Sequence, residues 1–337
     1  MQNKLSRRAV LAGSAALPLV AIGAGTARAA KYTLRLATGQ APSHPVNIRA
    51  GEAIARLAKA TGGALEIKLF PNNVLGSDPD LITQVRSGGV DMINMASSIL
   101  ATLVPAAAIT NLGFAFSGYP EVWKAMDGGL GHAIASEIGK RGITQVGRAW
   151  DNGFRQITSS KKPILSPADL KGFKIRVPPA PMLTSLFQSL GAAPSPIAFN
   201  EVYTSLQTGL VGGQENPLAI IYTAKLYEVQ KFCSLSGHSW DAYLMLAHPA
   251  SLARLPAKMR EMVIAEFDRA GQEERADSAK LAANLQAKLT QHGMTFHTVD
   301  KAAFRTALRK TDYYPSWKAK FGPELWKTLE STTGALG

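Results

Sequence analysis

The chain has 337 residues, of which 46% are hydrophobic, 18% charged and 7% aromatic, a balance that fits a globular protein with room for two domains and excludes disorder, collagen and coiled coil. A single cysteine, Cys233, excludes an intrachain disulfide, a cysteine-rich zinc site and a CxxC redox pair. The formal net charge of +13 favours anions in general and names no partner.

Residues 1–29 read as an export signal rather than as part of a fold. Lys4, Arg7 and Arg8 precede an Ala/Gly/Leu/Val run, and Ala27-Arg28-Ala29 has the small-x-small form of a cleavage site. Ser6-Arg7-Arg8 with Leu11 resembles a twin-arginine signal, with Val10 where the commonest pattern has Phe; the ordinary secretory route is the alternative. Pro18 and several glycines weaken the reading of 9–25 as a permanent membrane anchor. The expected location is periplasmic, and removal of the leader's four cations leaves +9 on the mature chain.

From Tyr32 to Ala37 the chain alternates like a strand, and Ile48, Ile54 and Leu57 space a helix over 46–59 that Gly62-Gly63 ends. Alternation returns over 65–70, a second helix runs to Gly88-Gly89, and 92–95 is a short strand. Strand, helix, strand, helix, strand predicts a mostly parallel sheet covered by helices, with ligand sites at the strand ends. Further strands are expected at 142–149, 173–177 and 193–198, and helices at 180–190 and 200–208. Residues 258–291 carry no proline and one glycine, Gly271, which predicts a helix that outreaches one small lobe and braces two. The fold class is therefore α/β in two lobes.

Enzyme constellations are missing: the sequence has no HExxH, no GxSxG, no P-loop and no GxGxxG after a strand. The histidines are scattered, and only His44 and His238 fall where a strand end could open on a cleft; the plainer reading of each is a hydrogen-bonded loop residue. Basic residues are dispersed and no Lys/Arg run is interleaved with aromatics, which argues against nucleic acid.

The informative stretch runs from Trp150 to Trp240. In 173–177 alternation puts Phe173, Ile175 and Val177 on one face and Lys174 and Arg176 on the other, and Pro178-Pro179 stops the strand, leaving Arg176 at its end. Arg155 follows the turn at Gly153. A guanidinium offers paired donors that match a carboxylate bidentately. Spacing alone leaves both arginines open between a salt-bridge partner and a ligand clamp, Asn216 between a turn residue and a ligand amide, and Trp150, Phe199, Trp240, Tyr203 and Tyr222 between core and pocket.

Three blocks carry a family resemblance: 170–178 (LKGFKIRVP), 191–203 (GAAPSPIAFNEVY) and 206–217 (LQTGLVGGQENP), with 70–76 (FPNNVLG) in support. On these the chain resembles the DctP-type solute receptors of tripartite ATP-independent periplasmic (TRAP) transporters over essentially its mature length. The resemblance implies a two-lobed Venus-flytrap with crossing strands and a long bracing helix. Lobe I would be 31–152 plus about 241–280, and lobe II 153–240 plus about 281–337. It implies no catalysis and no cofactor; a small organic acid would close the cleft, and the receptor, a monomer, would deliver it to the small and large permease subunits. Arg176 matches the arginine that pairs with the ligand carboxylate, Arg155 a second arginine near it, Asn216 an amide on the same carboxylate and Phe199 an aromatic against the ligand. Trp150 and Trp240 match approximate pocket-lining positions. Ala96 and Gly39 stand where the sialic-acid receptors have polar contacts, so a carboxylate with apolar or aromatic character is expected instead of sialic acid. Asn216 after Glu215, where cation-holding members have tryptophan, argues against a metal. The same fold used as a ligand sensor, or an unrecognised periplasmic enzyme, are the alternative functions.

Overall fold

The structure is a computed structural model that describes residues 30–336; the export-signal reading of residues 1–29 lies outside the described residues. Two six-stranded sheets organise it. The first contains β1 (Tyr32–Thr38), β2 (Leu65–Phe70), β3 (Met92–Ala96), β4 (Thr144–Gln145), β5 (Trp150–Phe154) and β11 (Trp240–Ala247). The second contains β6 (Gln156–Ser159), β7 (Lys174–Val177), β8 (Ala193–Pro196), β9 (Gly213–Asn216), β10 (Phe232–Leu235) and β12 (Thr295–Thr298). In the first, β1 runs parallel to β2 and β3, as the alternating strand-helix order predicts, whereas β11 pairs antiparallel with β3, β4 and β5. In the second, β7 lies parallel between β8 and β9, while β6 runs antiparallel to β9 and β10.

The covering helices form over the expected ranges, although Ile48, one of the residues that spaced the first, is 46% exposed. Helix Pro45–Ala60 buries Val46, Ala50, Ala53 and Leu57, residues three or four apart, and Asp78–Ser87 buries Leu81, Ile82 and Val85 before Gly88 ends it in a left-handed conformation. The strand expected over 142–149 is different. Only Thr144–Gln145 pairs there, because Gly147 turns the chain at a φ of 71°, and a separate strand starts at Trp150. Residues 200–208 likewise divide into a 3-10 turn, Phe199–Glu201, and a short helix, Val202–Gln207.

Two short links carry the chain between the sheets, and the long helix carries it across a third time, from β11 to β12. Arg155 alone separates β5 from β6, and Ser236 to Ser239 carry the return from β10 to β11. The Arg155 amide donates to the Ser239 carbonyl at 2.8 Å, tying the crossings together. Helix Ala257–Gln291 is 35 residues long and spans about 52 Å. Its first part pairs with helix Pro45–Ala60 through Arg56–Glu266 and Arg49–Asp277, each at 2.6 Å, and its last turns bury Leu289 beside Cys233 and Met294 of the second sheet's side. The terminal segment differs from the expected division, which gave all of 281–337 to the second lobe. Segment Tyr313–Thr333, two helices that meet at a kink at Gly322 (φ 76°), packs on the first-lobe elements Pro105–Asn111, Tyr119–Met126 and Gly129–Gly139. The hydroxyl of Tyr314 donates to Gly113 O at 2.8 Å, while Trp317 Nε1 donates to Ser185 Oγ of the second lobe at 2.8 Å. Its aromatic residues need apolar cover on both sides, and the segment takes it from both lobes.

Candidate functional site

Between the sheets lies a cleft whose walls include Gly39, Asn94 and Tyr243 from one side and Arg176, Phe199 and Asn216 from the other. The space left is about 30 Å³, which holds roughly two waters. The structure therefore describes a closed state.

Arg176 stands where alternation put it. On β7 its neighbours Ile175 and Val177 face the core and Lys174 faces solvent, while Arg176 points to the cleft and is 1% exposed. Its Nε and Nη2 both donate to the Ile197 carbonyl, at 2.9 and 2.7 Å, and the Phe199 ring lies 6.0 Å from its Cζ. Among the described residues it has no salt-bridge partner, and its Nη1 has no protein acceptor. Burial pulls its pKa down to about 9; Glu215 and Asp78 act weakly the other way, and Arg155 adds to the lowering. A buried guanidinium with no counterion is costly, and an anion in the cleft would relieve that cost.

Arg155 is buried too, but its donors are taken. Nε and Nη2 form a fork on the Glu215 carboxylate at 2.5 and 2.9 Å, Nη2 also meets Asn216 Oδ1 at 3.1 Å, and Nη1 reaches Asp241 Oδ2 at 3.2 Å. Asp241 further accepts from Ser97, Ser98 and Asn152. Glu215 lies on β9 of the second sheet and Asp241 on β11 of the first, so Arg155 is an ionic tie across the crossing. Burial alone would push Glu215 up, yet Arg155 and His238 hold its pKa below the usual range. Both Glu215 oxygens are thus committed to protein partners.

His238 occupies that network, with Nε2 3.0 Å from Glu215 Oε2 and Nδ1 2.8 Å from Ser236 Oγ; burial is the main cause of its lowered pKa. His44 caps helix Pro45–Ala60, accepting from Val46 N at 3.3 Å, and burial brings its pKa down to about 3. Asn216 lines the cleft, its Nδ2 donating to Gln214 Oε1 and its Oδ1 accepting from Arg155 Nη2.

The tryptophans are corrections. Trp150 is fully buried against Gly271 of the long helix, where even a Cβ would come within 2.6 Å of its Nε1. Trp240 donates to Asp151 Oδ1 at 2.9 Å and meets Phe116 and Trp123 edge to face. Neither lines the cleft: Trp150 is taken up by the long helix and Trp240 by the rings of Phe116 and Trp123. The tryptophans therefore lend nothing to an apolar or aromatic ligand tail, whereas Gly39 and Ala96, on which that expectation also rests, do line the cleft. Tyr203, bonded to Glu228, and Tyr222, beside Tyr227, also lie away from it.

The residues missed from sequence are polar. Asn94 Oδ1 and Nδ2, Asn152 Oδ1 and Tyr243 Oη are buried with no hydrogen-bond partner, and all three residues line the cleft. Asp78, at the start of helix Asp78–Ser87, also faces it; burial raises its pKa, with Asn73 acting the other way. An asparagine inside the buried run Met92–Ala96 was a readable signal, since an orphaned amide in a core costs about 1–3 kcal/mol.

The family model for bacterial extracellular solute-binding protein, family 7 (DctP) matches residues 36–315. The chain belongs to this family. The DctP family is one of solute receptors and not of enzymes, and its two-lobed α/β architecture is the one described above. One curated relative, the 2,3-diketo-L-gulonate-binding periplasmic protein YiaO of Escherichia coli, is 35% identical over 257 residues, 75% of this chain and 77% of its own. A longer Sinorhizobium fredii protein is 35% identical over 91% of this chain, which spans 57% of that relative's length. Among solved structures, a TRAP periplasmic solute-binding protein from Sulfurospirillum deleyianum with bound succinate aligns at a TM-score of 0.86 and 30% identity, covering 90% of this chain and 99% of that one. One from Roseobacter denitrificans with bound L-galactonate aligns at 0.83 and 31%, again covering 90% and 99%.

Proposed function

We propose that this DctP-family receptor works in the periplasm, captures a polyhydroxylated carboxylate of the sugar-acid class between its lobes, and delivers it to the membrane subunits of a TRAP permease. The observation that carries the reading is Arg176, a buried guanidinium in the cleft without a carboxylate partner. Ile197 O fixes two of its edges, so the free Nη1 and the Asn216 amide beside it are the donors for a ligand carboxylate. The orphaned atoms of Asn94, Asn152 and Tyr243 call for hydroxyls at the other end of the ligand, because an apolar tail would leave them unpaired. Two relatives named or solved with sugar acids point the same way. Arg155 also lines the cleft, but its donors are taken: it ties β9 of the second sheet to β11 of the first and holds Asn216 Oδ1 beside the ligand.

Capture is then physical rather than chemical. The lobes separate about the two crossings to admit the ligand, and contacts made from both sides favour the closed state. The test is thermal unfolding with L-galactonate, D-glucuronate and succinate. A ligand at about a hundred times its Kd adds about 2.7 kcal/mol of stability. Galactonate or glucuronate should shift the midpoint upward, and Arg176→Ala should abolish the shift. A shift with succinate alone, or one that survives Arg176→Ala, would overturn the reading.

A further inference from the structure

A second cavity, about 380 Å³ in volume, lies where the two crossings run side by side. Phe154 ends β5 and Gly237 lies in the return link from β10 to β11; both line it. Phe114 and Phe116 line it from the segment after Pro105–Asn111, and Lys301 and Arg305 from successive turns of helix Lys301–Arg309. The wall therefore combines three phenyl rings with two cations, and no carboxylate belongs to it.

Among the described residues the cations lack protein counterions: neither Lys301 nor Arg305 forms a salt bridge, and Arg305 Nε is buried with no hydrogen-bond partner. Gly237 has a φ of 48°, and a Cβ there would come within 2.8 Å of Lys301 Nζ, so the glycine both makes the turn and lets the ammonium approach the link. The main cleft pairs its cation with orphaned amides, whereas this cavity pairs its cations with aromatic surface. A ligand that satisfies both features has an anionic end for Lys301 and Arg305 and an apolar body for the phenylalanines.

We propose that this cavity is a second binding site, at the hinge, for an amphipathic carboxylate with an aryl or short acyl body. Its walls come from both crossings and from the helix that follows β12, so their spacing changes when the lobes separate. Occupancy here is thereby linked to opening of the cleft.

The probe is 3-phenylpropionate, titrated calorimetrically into the purified protein. The expected Kd lies below about 1 mM. Joint replacement of Lys301→Gln and Arg305→Gln should weaken binding about tenfold or more. Ala302→Phe, which fills the cavity from an exposed helix position without removing a charge, should do the same. Arg176→Ala should leave the probe's affinity within about twofold, and the uncharged 3-phenylpropanamide should bind about tenfold more weakly. Absence of binding up to about 10 mM overturns the proposal. So does equal binding of the amide, or binding that Arg176→Ala abolishes and the hinge variants retain, which would put the probe in the main cleft. These outcomes turn on the hinge residues, so they are independent of which acid the cleft takes.

Discussion

Two arginines, Arg155 and Arg176, are almost equally buried, at 2% and 1% exposure, and their electrostatic situations are opposite. Arg155 forks onto Glu215 and reaches Asp241, so its charge is spent inside the protein. Among the described residues Arg176 has only the Ile197 carbonyl, so its charge is unspent within the fold. Burial lowers the pKa of a guanidinium in both places; at Arg155 the two carboxylates outweigh it, and at Arg176 nothing does. A buried arginine is thus a brace or a receptor according to where the nearest carboxylate lies.

The largest effect that could break this comparison is on stability. Arg155→Ala should cost about 3–5 kcal/mol in chemical denaturation, because it strands Glu215 and Asp241 as buried charges. An unchanged denaturation midpoint would remove Arg155 from the role of tie. Next, Arg176→Ala should weaken ligand binding by about 2–5 kcal/mol, roughly 30-fold or more, and Arg176→Lys should also bind poorly because a point charge lacks the fork. Affinity within about twofold of wild type, measured by calorimetry, would sink the clamp.

A sharper version exploits the sign. Arg176→Met should raise the stability of the unliganded protein by about 1–3 kcal/mol, since it removes a buried charge that no protein group neutralises. The folded pKa of Arg176 is lowered to about 9, below that of the unfolded chain, so the unfolded state holds the proton more tightly. Its cost is full below pH about 9 and fades above it, and the gain from Arg176→Met should shrink over the same interval. A loss of stability at neutral pH would show that Arg176 is compensated after all.

The smallest effect concerns a third buried cluster on the same crossing strand. Glu274 of the long helix accepts from the Asp151 amide at 2.8 Å, and Asp151 accepts from Tyr119 and Trp240. Burial first, and then the proximity of Asp151, holds Glu274 above the carboxylate range, while burial pushes Asp151 up to about 6. Groups raised in this way contribute stability that is present below their unfolded pKa and lost as pH rises through the folded one. Glu274→Gln keeps the hydrogen-bonding shape and removes one charge. It should match wild type near pH 4 and exceed it by a margin that grows toward pH 8, read from denaturation midpoints. A constant difference across that range would argue against the titration.

Much of the fold was legible because it is written in local periods. Residues 65–70 read as a strand and form one, and the proline-free run 258–291 is a helix within a residue of those limits. Arg176 was legible for the same reason: period-two alternation next to a double proline fixes both its face and its place at a strand end. The terminal segment was not, since its choice of lobe depends on contacts such as Tyr314 with Gly113, 201 residues away.

By itself the sequence determined the strand-helix alternation of 32–95, the long helix, the place of Arg176 at the end of β7 and the family to which the chain belongs. Only the tertiary structure decided what each candidate does. Arg155 meets Asp241 across 86 residues of chain, Trp150 packs on Gly271 far along the long helix, and Asn94, Asn152 and Tyr243 come to one cleft from three strands. The physical reason is that alternation reports which face of an element a side chain takes, whereas burial and charge compensation depend on what the rest of the chain brings to that face.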